Sequence, residues 1–97
     1  MNKINIFEHT GKFAGNKDIA REIRLNKILP ILTKKDNLTL DFNGVDSATQ
    51  SFIHALISEV IRQNGIEVLD RIYFEGCNET VKKIIEIVTE YMQESNY

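Results

Sequence analysis

The stretch LTLDFNGVDSATQSFIHALISEVIRQNG, residues 38–65, decides the fold. Leu38, Leu40 and Phe42 alternate with Thr39 and Asp41, the two-residue period of a strand that turns one side to a core. A polar run, NGVDS, follows. Then Phe52, Ile53, Leu56, Ile57, Val60 and Ile61 recur at i, i+1, i+4 and i+5 spacing, which draws a broad apolar stripe along a helix. Gly65 fits the stop of that helix.

Outward from this unit the same grammar repeats. KINIFE places Ile4 and Ile6 on one side of a first strand, and Gly11 and Gly15 then predict a turn. DIAREIRLNKILPILTKK, from about Asp18, spaces Ala20, Ile23, Leu25, Ile28, Leu29 and Leu32 for a helix, which Pro30 should kink or divide because it removes one backbone donor. RIYFEG reads as a third, short strand, and IEVL before it is either extended or a connection. Asn78 is a good N-cap for a last helix with the stripe Val81, Ile84, Ile85, Val88 and Met92 or Tyr91. The last three residues, from Ser95 to Tyr97, read as a frayed end. Strands separated by helices require crossover connections, and those are right-handed in nearly all proteins. The expected fold is therefore α/β: one small layered domain, with a mostly parallel sheet of three to four strands packed by helices.

The 97 residues suffice for one core, and 42% hydrophobic with 27% charged residues is ordinary globular composition. The 12 basic and 14 acidic residues, read as mixed along the chain, predict no broad positive field and hence no nucleic-acid partner. The lone Cys77 excludes an internal disulfide and a thiolate metal cluster. Neither a secretory signal nor an apolar run of about 18 residues is present, which predicts a soluble cytoplasmic protein with no membrane contact.

LTLDFNGVDSATQSFIHALISEV resembles the LDF-x-G-V…QSF core of the STAS-like proteins, a domain of unknown function related to sulfate-transporter and anti-sigma-factor-antagonist domains. EGCNETVKKIIEIV is similar to that group's short strand, Asn and final helix. The resemblance implies a STAS-like domain with no enzymatic centre and no cofactor. It implies a protein partner of the histidine-kinase-like, ATP-binding type, reached by partner switching. In anti-sigma-factor antagonists a serine at the start of the helix after this strand is phosphorylated. Laid on this sequence without gaps, that motif falls on Thr49, Gln50, Ser51 and Phe52, so Gln50 holds the acceptor position and Ser51 and Thr49 are the candidate hydroxyls beside it.

The residues of that helix start also carry a reading of their own. A first helical turn leaves backbone N–H groups unpaired, so Asp46, Ser47, Thr49 and Ser51 can each cap it. Capping alone accounts for such residues, and a partner's carboxylate or phosphate would suit the same donors. Ser51, Ala55, Ser58 and Arg62, with His54 beside them, line a small, polar face expected opposite the apolar stripe. That face is either solvated or a docking surface. Asn43, Asp46, Ser47, Thr49, Gln50, Ser51 and His54 are thus the candidate partner-binding residues.

The other candidate sites are weaker. GKFAGNK departs from a nucleotide-binding P-loop in gap length, lacks the glycine-lysine step and has Asp18 in place of the magnesium-binding hydroxyl, so a turn explains its glycines. Cys77 with His9 or His54 would need contact and an orienting third group to act as a nucleophile. Asp41 and Asp46 are not placed as an acid/base pair. The expected role is a non-enzymatic regulatory module for protein–protein interaction. The alternatives are a phage or mobile-element inhibitor of a host protein and a small nucleotide-binding protein.

Overall fold

The computed structural model describes residues 2–94, so the expected fray at 95–97 lies outside the described residues. Strand β1 (Asn2–Asn5) leads into a helical turn, α1 (Phe7–Thr10), and a two-residue strand, β2 (Phe13–Ala14). Helix α2 (Lys17–Ile23) runs through a π turn (Arg24–Ile28) into α3 (Leu29–Thr33). Then come β3 (Leu38–Asp41), β4 (Ser47–Ala48), α4 (Gln50–Asn64), a 3₁₀ segment (Ile66–Arg71), β5 (Ile72–Glu75) and α5 (Glu79–Glu94).

β3 is the centre of a parallel sheet of order β1-β3-β5. Its register sets Ile4 beside Leu40 beside Phe74 on one face, and Lys3 beside Thr39 beside Tyr73 on the other. The apolar alternation therefore lines up across three strands, as period-two patterning requires. Leu38, Leu40 and Phe42 are essentially inaccessible to solvent. α2 and α5 pack on either side of α4, and the three helices supply Ile23, Phe52, Ile53, Leu56 and Val81 to the same core. On the opposite face Lys3 and Glu75 pair at 3.2 Å, over the central strand, and both stay exposed.

Three expectations needed correction. The first strand ends at Asn5; only the Ile6 N–H continues its pairing, donating to the Asp41 carbonyl at 2.9 Å, after which Phe7 and Glu8 turn into α1. IEVL is neither strand nor plain connection but 3₁₀ helix. A second parallel sheet, β2 with β4, forms where the sequence reads only a turn and a polar loop. Two-residue strands are too short to show any period, so nothing in the pattern announced this one.

Pro30 does divide the helix, as expected. It sits in the first turn of α3, directly after the π turn, within a run that stays helical from Lys17 to Thr33, so its missing N–H removes one donor from that run. Of the last helix, Val81, Ile85, Val88 and Met92 are buried, Ile84 is at the margin, and Tyr91 faces outward.

Leu40 touches both the flanking strands and the helix layer, so Leu40→Ala should cost about 2–5 kcal/mol, the range for deleting a buried leucine side chain. Urea unfolding followed by circular dichroism measures it; a loss below about 1 kcal/mol would show that β3 is not the centre of the core.

Candidate functional site

The chain between β3 and α4 is held by backbone, which is why its polar side chains are free to point outward. Val45 is buried and its N–H bonds the Phe42 carbonyl at 2.9 Å, closing a turn in which Gly44 takes φ +94. The N–H groups of Asp46 and Ser47 both reach the Lys12 carbonyl, at 2.7 and 3.3 Å, and the Thr49 N–H reaches the Ala14 carbonyl at 3.0 Å. The segment around Gly11 and Gly15 thus serves β4 with its carbonyls. A phosphate cradle would have to offer N–H groups instead.

Each candidate residue now has a place. Thr49 is the N-cap: its Oγ1 accepts from the Phe52 N–H at 3.0 Å. Asp46 and Ser47 are not caps; they lie at and before β4. Asn43, Asp46, Gln50 and Ser51 are exposed, while Ser47, Thr49 and His54 are half-buried. Of the two candidate phosphate acceptors, Ser51 is open to solvent and Thr49 already has its hydroxyl oxygen engaged. Asn78, far along the sequence, joins this region: its Oδ1 accepts from the Val81 N–H and its Nδ2 donates to the Asp46 carbonyl, both at 2.8 Å. Gly76 belongs to it too. A Cβ there would come within 2.8 Å of the Asn43 nitrogen, and its φ of +70 favours glycine.

The small-residue face of α4 is solvated at its ends, Ser51 and Arg62, and covered at its middle, Ser58. α4 is the middle helix, so that face lies in the seam between its neighbours. Ser58 is only 2% exposed and its Oγ shares a hydrogen bond with His54 Nδ1 at 3.2 Å. The His54 ring lies 6.4 Å from that of Tyr91 on α5, and Arg24 from the π turn donates through Nη1 to the Ala55 carbonyl at 2.8 Å. Small side chains admit these neighbours, which is the close approach their size allows. What remains open is the front of the helix: Lys17, Gln50, Ser51, His54 and Ala55 line a shallow groove of about 510 Å³.

The charges are not mixed along the chain as expected. Residues 1–35 hold 8 basic and 3 acidic side chains, net +5, and the remainder 4 basic and 11 acidic, net −7. The basic part folds into the segment from β1 to just past α3, and of its cations Lys17 lines the groove.

Cys77 donates to the Glu75 carbonyl at 3.9 Å. Burial, and secondarily the Asp41 carboxylate, push its thiol above the ordinary range, against a smaller opposing effect of Lys82. A thiol so placed stays protonated at neutral pH. Asp41 accepts from the Asn43 N–H at 2.9 Å, which gives this carboxylate a structural partner. Among the described residues no group of three His, Cys, Asp or Glu could hold a metal ion, and no helix is long and apolar enough to cross a membrane.

The family described as STAS-like domain of unknown function (DUF4325) matches residues 20–82, well over half of the chain. The protein belongs to the STAS-like family of that description. No curated protein and no solved structure matches the chain.

Thr49→Ala should cost about 1 kcal/mol through the lost cap, whereas Ser47→Ala, one turn upstream of any helical donor, should change stability by less than about 0.5 kcal/mol. Paired urea curves would read the difference; equal effects would mean that Thr49 does not cap α4.

Proposed function

We propose that the protein is a non-enzymatic regulatory module that docks another protein through residues 43–51 and the exposed front of α4. One observation carries this reading: exposed Asn43, Asp46, Gln50 and Ser51 stand on a backbone already fixed by hydrogen bonds to Lys12, Ala14 and Asn78. A surface ordered before binding loses little entropy on association, which is what a recognition loop needs and a solvated loop does not. The resemblance to anti-sigma-factor antagonists supports a histidine-kinase-like ATPase as the partner class. Membership of the STAS-like family is compatible with such a role.

The test is a pull-down between the immobilised chain and the histidine-kinase-like ATPase encoded nearest to it in its own genome. Gln50→Glu with Ser51→Glu should leave thermal unfolding within a few degrees and abolish capture, because both side chains are solvent-exposed. Undiminished capture would refute this surface. In the same mixture with labelled ATP, any phosphate taken up should fall on Ser51 rather than Thr49, whose Oγ1 is held at the helix cap. Label surviving in Ser51→Ala and lost in Thr49→Ala would reverse that assignment.

A further inference from the structure

One cation, Lys17, lines the groove, Arg24 bonds the carbonyl of its wall residue Ala55, and Arg21 lies one turn after Lys17 on α2. Lys17, Arg21 and Leu25 recur every four residues, a single row along α2 and the π turn. Lys17 forms one wall of the groove over Gln50, Ser51 and Ala55. Arg24 is half-buried and reaches across to the Ala55 carbonyl. Among the described residues the ion pairs are Lys3 with Glu75 and Arg62 with Glu59, so Lys17, Arg21 and Arg24 have no carboxylate within 4.0 Å. The helix's own acids, Asp18 and Glu22, run in the next row, and Glu22 lines a separate hollow with His9 and Asn26.

Such an arrangement is unfavourable in the isolated chain. Like charges four residues apart disfavour a helix by about 0.2–0.5 kcal/mol, and the half-buried Arg24 guanidinium, with one neutral acceptor in the chain, leaves its other donors to solvent. An anionic group from outside would answer both. Leu25, 46% exposed at the end of the row, adds an apolar contact that a free phosphate would not use.

We propose that the groove between α2 and α4 receives an acidic segment of the partner protein, whose carboxylates pair with Lys17, Arg21 and Arg24 and whose apolar side chain packs on Leu25. This rests on the docking role proposed above and names the chemistry of the partner. A nucleic acid fits less well, since its phosphates need a broad basic stripe and here Asp18 and Glu22 interrupt the surface within one row. A second copy of the chain could offer Glu86, Glu90 and Glu94, which recur every four residues on α5, and the experiment separates that case.

The probe is a fluorescein-labelled peptide of about 15 residues, roughly 22 Å as a helix, with Glu and Leu at helical spacing. Controls are the same peptide with Gln for Glu and a single-stranded DNA of similar length. Anisotropy should show binding of the Glu peptide alone. Lys17→Glu with Arg21→Glu should weaken it about tenfold or more, as charge reversal at a contact does, and Lys82→Glu with Lys83→Glu on α5 should not. Amide NMR spectra verify that each variant is folded, and shifts in the wild type should centre on α2, the π turn and the start of α4. Equal binding of the Gln peptide, preference for DNA, indifference to the Lys17 and Arg21 reversals, or salt-sensitive self-association in sedimentation that those reversals remove would each overturn the proposal. If these reversals leave capture of the ATPase intact while the Gln50 and Ser51 variant abolishes it, the docking role stands and this inference alone fails. The opposite pattern refutes residues 43–51 as the docking surface and leaves the cationic row of α2 in that role.

Discussion

The structure depends on one constraint: β3 must pair in parallel on both sides while hiding Leu38, Leu40 and Phe42 from water. Parallel partners cannot be joined by a tight turn, so each neighbour of β3 has to be reached through a long excursion. Those excursions are α2 to α3 on one side and α4 with its 3₁₀ extension on the other. They carry the apolar stripes that cover the sheet, and their geometry brings α4 to the middle of the helix layer. The position of the candidate site follows. It lies beyond the carboxyl end of the central strand, where the chain must leave the sheet before it can start the helix.

Most of that architecture was legible. Alternation at Leu38–Asp41 and Asn2–Asn5 named two strands, and the stripes of α4 and α5 named two helices, because burial on one side leaves a period in the sequence. Asn78 and Pro30 announced a helix start and a helix defect for reasons of local hydrogen bonding that hold in any context. The small sheet was not legible, nor was the π turn. In both, one or two residues depart from a regular period under the pull of contacts made far away, and the local sequence does not hold that information.

The site was legible in part. Thr49 belongs to a set of capping residues that composition alone cannot rank; only the register of α4 selects it. The small-residue face was read as either solvated or a docking surface, and the groups that approach it are Arg24 and Tyr91 of this chain. A helical wheel cannot say how many neighbours a helix will have, and a middle helix has two. The clustering of cations in residues 1–35 was present in the sequence throughout, hidden by a net charge near zero.

Asn78 has a further consequence. Its amide does opposite work at its two ends, accepting at the start of α5 and donating to the Asp46 carbonyl. An aspartate in its place would still cap the helix, and its charge would even suit the positive end of the dipole, yet it would have nothing to donate and would repel the carbonyl. Exchanging one nitrogen for oxygen would thus separate two properties that normally travel together, keeping the cap of α5 while removing the side-chain tie to the Asp46 carbonyl and leaving the segment before α4 to its backbone bonds with Lys12 and Ala14.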